Sequence, residues 1–266
     1  MDLQMQDKTV LITGGDSGMG FETARILADE GVTLILSDKE QDEVDQRAEQ
    51  LRKGGATVHA IAADLSSAEG ANQLAQKIKD EFGGVDAVGH FAGITGPTGD
   101  FLELSDDDWR KTLEIDLMGA VRIARAFIPQ MVEKGWGRLL FIASENALQP
   151  YPDETPYNSS KAGVIALSKG LSKAFAEQGV LVNTISPAFV ETPMTDAMME
   201  ELAEEKDTDI EGAVQWFLEN KRPHIEVKRR GQPEEVAAVA ALLLSPLSSY
   251  VNGANWRVDG GSVASV

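Results

Sequence analysis

Tyr157 and Lys161 stand four residues apart, and Ser144 lies thirteen residues before the tyrosine. On a helix that spacing puts the phenol and the ammonium on one face. A free tyrosine titrates at about 10, and a fixed ammonium favours the phenolate. The expectation is a Tyr157 phenol pulled toward neutrality, able to give and take a proton. The Ser144 hydroxyl could hydrogen-bond the reacting oxygen. A Tyr-x-x-x-Lys pair by itself is common on surface helices; its weight comes from its company. Upstream, Thr13-Gly14-Gly15-Asp16-Ser17-Gly18-Met19-Gly20 ends a strand and opens a helix. Glycines let a backbone turn tightly against a pyrophosphate, and the helix start offers free amides. Asp38 follows 18 residues after Gly20. A carboxylate at that remove accepts hydrogen bonds from ribose hydroxyls and repels a 2′-phosphate. Asp16 adds a second negative charge, so NAD(H) is expected over NADP(H). The plainer reading of Asp38, a solvated acid at a strand end, stays open here.

Alternating strands and helices must position these groups. Short apolar runs at 9–12, 32–37, 57–62, 86–90, 138–143, 180–186 and 254–258 read as strands. Between them, 21–30, 41–53, 68–82, 105–134, 156–178 and 232–244 read as helices, with Ser105 and Asp108 as the cap of the fourth. Strands separated by helices of this length predict an α/β fold, a doubly wound parallel sheet of about seven strands with helices on both faces. Residues 191–231 interrupt the rhythm with two helical stretches, 194–205 and 210–220. An insertion after the C-terminal end of a parallel strand is where such sheets carry ligand covers. No repeat or linker divides residues 1–266, so one domain is expected.

Composition narrows the chemistry. The 266 residues carry 24 Lys+Arg against 43 Asp+Glu, a net charge of −19. That charge argues against nucleic acid and anionic membranes as partners. There is no cysteine, which excludes disulfides, thiolate metal sites and thiol catalysis. The three histidines, His59, His90 and His224, are not spaced as a metal pair, so no metal is expected. Residues 1–8 have neither a basic start nor an apolar stretch, and the longest apolar run is far short of a span. The expectation is a cytoplasmic protein.

Taken together, the Thr13–Gly20 loop, Ser144 and Tyr157-x-x-x-Lys161 resemble the short-chain dehydrogenase/reductase family over essentially the whole chain. The resemblance implies a Rossmann-type fold, a homotetramer built on the long helices and the C-terminal strand region, and a small-molecule alcohol or ketone substrate. It implies Tyr157 as acid/base, Ser144 as carbonyl polariser and Lys161 on the nicotinamide ribose. Gly14, Asp16, Ser17, Gly18, Met19, Gly20 and Asp38 would hold the adenosine and pyrophosphate side. Asp64 and Leu65 resemble the adenine-contacting segment. Ala92 and Gly93 stand in the segment His90-Phe91-Ala92-Gly93, where the family has Asn-Asn-Ala-Gly. Pro187, Val190 and Thr192 resemble the carboxamide-binding segment. Asp116 stands where the family has a relay asparagine, and is carried as a catalytic residue. His90 in place of asparagine leaves a hydrogen bond between central strands to be supplied by the imidazole.

Smaller features carry two readings each. Glu145 and Asn146 follow Ser144 where substrate should pass, or solvate a loop. Trp216 faces substrate from the cover, or packs. The cover holds an acidic stretch, 196–211, and a basic run, 221–230, which either pair with each other or form a mouth for an anionic substrate. The leading function is an NAD(H)-linked interconversion of a secondary alcohol and a ketone on a small polyol, sugar or cyclic alcohol. The rivals are a 3-oxoacyl thioester reductase and a non-catalytic dinucleotide-binding regulator.

Overall fold

The computed structural model describes residues 2–265. Its strands are β1 (Thr9–Thr13), β2 (Thr33–Ser37), β3 (Thr57–Ala60), β4 (Ala87–His90), β5 (Gly137–Ile142), β6 (Val180–Pro187) and β7 (Asn255–Val258). Its α-helices are α1 (Gly18–Ala28), α2 (Gln41–Lys53), α3 (Ala68–Phe82), α4 (Asp106–Thr112), α5 (Met118–Lys134), α6 (Thr155–Phe175), α7 (Pro193–Lys206), α8 (Ile210–Asn220) and α9 (Pro233–Leu244). The seven strands form one parallel sheet in the order β3-β2-β1-β4-β5-β6-β7.

Both sheet faces are covered, which is why the strands read as continuous apolar runs rather than alternating ones. The period of two still sorts their side chains. Val10, Ile12, Leu140 and Ile142 face a core shared with α1, α2 and α9. Leu11, Leu139 and Phe141 face the opposite core, under α3, α5 and α6. The chain winds outward from β1 through β2 to β3, then returns to β4 on the other side. The C-terminal ends of β1 and β4 therefore open a crevice between diverging connections.

The stretch expected as one helix, 105–134, is two helices joined by a π turn at Leu113–Leu117. Ser105 caps α4 as anticipated: the Asp108 amide donates to Ser105 Oγ (3.2 Å), and the Ser105 amide donates to Asp108 Oδ2 (2.9 Å). The π turn contains Asp116, and such turns re-aim a side chain at a site. Residues 191–231 form α7, α8 and a basic loop. They have a small core of their own, with Phe189, Met199, Phe217, Leu218 and Ile225 buried together. At the base of this excursion the Glu191 amide donates to the Gly231 carbonyl and the Gly231 amide to the Phe189 carbonyl, each at 2.9 Å.

Candidate active site

The crevice at the ends of β1 and β4 holds a cleft of about 550 Å³. Its wall includes Gly14, Asp16, Ser17, Gly18, Met19, Gly20, Asp38, Asp64, Leu65, Ala92, Gly93 and Thr192, all anticipated from sequence. Two of the glycines are required by geometry. Gly14 has φ +68°, and a Cβ on it would lie 2.6 Å from the Ala92 amide nitrogen. A Cβ on Gly20 would overlap the Gly14 carbonyl, so α1 packs onto β1 only with glycine there. α1 starts at Gly18, inside the loop rather than after it, with no acidic residue in its first turn. Its leading amides therefore face the cleft uncompensated, as an anionic pyrophosphate needs. A cradle of this size and donor chemistry fits a dinucleotide.

At the β2 end, Asp38 is half-buried and its Oδ1 accepts from the Lys39 amide at 2.6 Å. Burial pushes its carboxyl up, and the charges of Asp16 and Glu43 add to that. Sequence reasoning missed Arg47, which reaches from α2 and donates Nε to the Asp16 carbonyl at 2.7 Å. Its guanidinium lies 5.0 Å from the Phe21 ring centre. Across the cleft, the Ser66 amide donates to Asp64 Oδ1 (2.9 Å), and hydrogen bonds from Ser66 hold that carboxyl below its usual range. Thr192 caps α7 and approaches the glycine loop; a Cβ on Gly18 would sit 3.2 Å from its methyl. Pro187, Val190, Tyr157 and Lys161 do not line the cleft, although Lys161 Nζ lies just behind its wall, 3.3 Å from where a Cβ on Gly93 would sit. Pro187 ends β6 opposite Val258, and Val190 is buried in the base of the excursion.

Ser144, Tyr157 and Lys161 converge from two elements. β5 delivers Ser144 one residue past Ala143, and α6 presents Tyr157 and Lys161 one turn apart. Ser144 is buried; its Oγ donates to Asn146 Oδ1 and accepts from the Asn146 amide, both at 3.2 Å. The Lys161 ammonium is buried 5.4 Å from the Tyr157 ring centre and donates to the Ile142 carbonyl at 3.3 Å. The anticipated downward pull on Tyr157 is outweighed. Burial first, with the Asp116 and Glu154 carboxylates, raises the phenol above its ordinary value against the lowering pull of the Lys161 ammonium and the Ser144 hydroxyl.

Asp116 lies under the same floor. Its Oδ1 accepts from the Ile94 amide (2.9 Å), its Oδ2 accepts from Ser160 Oγ (3.0 Å), and the Lys161 ammonium is 4.0 Å away. Arg122, on α5, donates to the Glu114 carbonyl inside the π turn (3.1 Å) and to the Leu65 carbonyl at the cleft wall (3.3 Å). His90 fills the role expected of it. Its Nδ1 meets Thr13 Oγ1 at 2.7 Å and ties β4 to β1, while burial pushes the imidazole down to about 3. A neutral ring in the core, not an acid/base catalyst, is the result.

Glu145 and Asn146, the substrate candidates beside Ser144, are both engaged by other side chains. Asn146 donates Nδ2 to Glu154 Oε2 (2.7 Å) and to Asn158 Oδ1 (2.9 Å). Glu145 accepts from the Tyr151 hydroxyl (3.2 Å) and lies 3.6 Å from Arg222 Nε. Burial raises the Glu145 carboxyl, and its Oε2 has no partner. Arg222 closes the network: Nη2 donates to Glu154 Oε1 at 2.6 Å, and the guanidinium stacks 3.5 Å from the Tyr151 ring centre. Trp216, the third candidate, packs under the Lys206 ammonium at 4.4 Å and does not reach the cleft.

The lysines and arginines of the basic run are engaged within the protein. Lys221 pairs with Asp153, Arg222 with Glu145 and Glu154, Arg229 with Glu235, and Arg230 with Glu191 and Asp196. Lys228 donates to the Pro223 carbonyl at 2.8 Å. The run pairs with acids on the body, at the base of the excursion and on α7, and only Asp196 lies in the acidic stretch 196–211.

Residues 14–263 match a sequence family described as enoyl-(acyl carrier protein) reductase. The uncharacterized oxidoreductase YvaG of Bacillus subtilis (strain 168) is 34% identical over 268 residues, covering 100% of each chain. The 3-oxoacyl-(acyl-carrier-protein) reductase FabG of Aquifex aeolicus (strain VF5) is 32% identical, over 98% of this chain and 99% of that one. Among solved structures, the L-sorbose reductase of Gluconobacter frateurii, complexed with NADPH and L-sorbose, superimposes with a TM-score of 0.94 at 31% identity, covering 100% of both chains.

Proposed function

The chain belongs to the short-chain dehydrogenase/reductase family and is an oxidoreductase; from that premise we propose that it interconverts a small, uncharged secondary alcohol and its ketone using NAD(H). A nicotinamide cofactor, when bound, supplies or accepts the hydride. Tyr157 gives the proton to the carbonyl oxygen in reduction and takes it in oxidation. Ser144 hydrogen-bonds that oxygen, and Lys161 supplies the positive charge that favours a phenolate. The reading rests above all on the convergence of Ser144, Tyr157 and Lys161 beside a glycine-lined cleft of dinucleotide size.

Asp16 and Asp38 support NAD(H) over NADP(H). Both carboxylates line the end of the cleft where an adenosine ribose belongs, and Lys39 is the sole lysine or arginine among its lining residues. The sorbose reductase binds NADPH by its own description, so this choice stands on the two acids of this chain. The same neighbour, a sugar reductase, favours a polyol or sugar substrate. The engaged state of Lys221, Arg222, Arg229 and Arg230 fits a neutral one. A 3-oxoacyl thioester is the second reading, favoured by the likeness to FabG. A non-catalytic regulator has no need of the whole Ser–Tyr–Lys set.

We also propose that α7 and α8 cover the substrate, and that the protein is a cytoplasmic homotetramer. Among the described residues no helix is long and apolar enough to cross a membrane. α5 and α6 expose a shared apolar groove lined by Val121, Ile128, Val132, Leu167 and Leu171, a surface suited to a second copy.

A panel of polyols, sugars, cyclic ketones and acetoacetyl thioester, run in parallel with both cofactors, tests the reading. The expected result is NAD-linked turnover of a neutral substrate, abolished by Tyr157→Phe with cofactor binding retained. Turnover confined to the thioester with NADPH would overturn the substrate and cofactor choice. A fully active Tyr157→Phe enzyme would overturn the proton role.

A further inference from the structure

We infer that Asp116 is a positioning residue of the proton chemistry: it is the buried counter-ion of Lys161, and by sharing that ammonium it biases Tyr157 toward its protonated, proton-donating form. The inference deepens the proposed function and rests on Tyr157 as the acid/base. It begins from geometry. The π turn at Leu113–Leu117 brings Asp116 into the core, where its side chain has no exposed surface and that of Lys161 has only 7%. Charges that far from solvent are weakly screened, so a separation of 4.0 Å matters. The cleft lies directly above. A Cβ on Gly93 would sit 3.0 Å from Asp116 Oδ1 and 3.3 Å from Lys161 Nζ, so no side chain at position 93 separates the pair from the cleft.

The charges around the phenol leave Asp116 a distinct part. Lys161 approaches from its own helix, Ser144 from the end of β5, Glu154 from just before α6, and Asp116 from the π turn. His90, from β4, faces Lys161 as a neutral ring. Glu154 already shares the Arg222 guanidinium, whereas Asp116 meets no cation other than Lys161 among the described ion pairs. One carboxylate thus works directly against the one ammonium on which phenolate formation depends. Burial acts on Tyr157 in the same direction.

Hydrogen bonding makes the test clean. Ser160 Oγ lies 3.0 Å from Asp116 Oδ2 and 2.8 Å from the Tyr157 carbonyl, yet a hydroxyl has one proton to donate. In Asp116→Asn the amide would keep accepting from Ile94 and donate Nδ2 to Ser160 Oγ. Ser160 could then donate to Tyr157. The variant removes a charge while keeping the bonds to Ile94 and Ser160, and because it also leaves the Lys161 ammonium without its counter-ion, denaturant unfolding is measured on the same sample to establish that it is folded.

The direct measurement is the near-ultraviolet phenolate titration of the substrate-free protein. The chain has three tyrosines, and Tyr157→Phe subtracts the other two. Asp116→Asn is expected to move the Tyr157 titration down by about one pH unit. The ascending limb of alcohol oxidation should move with it, raising kcat about tenfold on that limb while KM for the cofactor stays put. Ser160→Ala, which removes a hydrogen bond but no charge, should leave the midpoint within a few tenths. An unmoved or raised midpoint in Asp116→Asn, or an equal shift in Ser160→Ala, would overturn the inference. The proposed function fails separately, if Tyr157→Phe stays active.

Discussion

His90 makes the acid sensitivity of this protein a quantitative matter. Its imidazole is 4% exposed, bonded to Thr13 Oγ1, and pushed by burial from 6.5 to about 3. In the unfolded chain it titrates near the ordinary value. Between those two values the unfolded state binds the extra proton, so stability rises with pH there and is lost as pH falls. The full contribution is present above pH 6.5 and declines by about 1.4 kcal/mol per unit below it. At pH 5 the loss attributable to this one ring is about 2 kcal/mol. Glu145 acts with the opposite sign, because a raised carboxyl binds its proton more readily in the folded state. Comparing wild type with His90→Asn cancels that contribution and those of all other carboxylates. The amide can still bond Thr13 but carries no proton equilibrium. Denaturant unfolding at pH 7.5, 6.5, 5.75 and 5 supplies the measurement. The variant is expected to lose about 2 kcal/mol less than wild type across the acid half of the series, whatever its stability at neutral pH. Parallel pH curves for the two proteins would show that the ring is not held neutral by the fold.

Two further outcomes are open to direct measurement. Arg222→Ala strands Glu145 and Glu154 in the network around Ser144, and should cost about 3–5 kcal/mol in unfolding experiments. Its kcat should fall more than its KM rises, with partial rescue by Arg222→Lys; wild-type stability and kcat would refute the network's positioning role. Val121→Glu combined with Leu171→Glu charges the apolar groove on α5 and α6 at two partly exposed positions. Light scattering should report a smaller assembly with its melting behaviour otherwise intact, and an unchanged mass would exclude that face as an interface.

Much of the fold was legible because local rules and burial agreed. Apolar runs ending in glycine gave the strands, and Ser105 with Asp108 gave a helix start. The glycine loop, Asp38, Ser144, Tyr157 and Lys161 were legible because each occupies a fixed offset from a strand end. What escaped depends on contacts distant in sequence. Arg222 meets Glu154 across 68 residues, and Arg47 meets the Asp16 carbonyl across 31. No periodicity predicts either pairing. The π turn escaped because Leu113-Glu114-Ile115-Asp116-Leu117 is compatible with an ordinary helix at every position. The direction of the Tyr157 shift escaped for a different reason: spacing reveals the neighbouring ammonium, but not how completely the pair is buried or that Asp116 would claim part of it. The basic run looks available in the sequence only because most of its acids, Glu145, Asp153, Glu154, Glu191 and Glu235, lie outside the neighbouring acidic stretch.

The excursion over residues 191–231 has its own small core and returns to the sheet through a neck of two backbone hydrogen bonds. The entropy of closing a long loop grows only slowly with its length, and here the neck fixes both ends. Its contents are nonetheless tied to the body beside the Ser–Tyr–Lys set: Arg222 pairs with Glu145 and Glu154, and the Glu226 and Val227 amides donate to the Gly260 carbonyl. A relative's excursion grafted between Val190 and Gly231 would therefore have to bring its own cation for Glu145 and Glu154, or leave two carboxylates stranded next to Ser144.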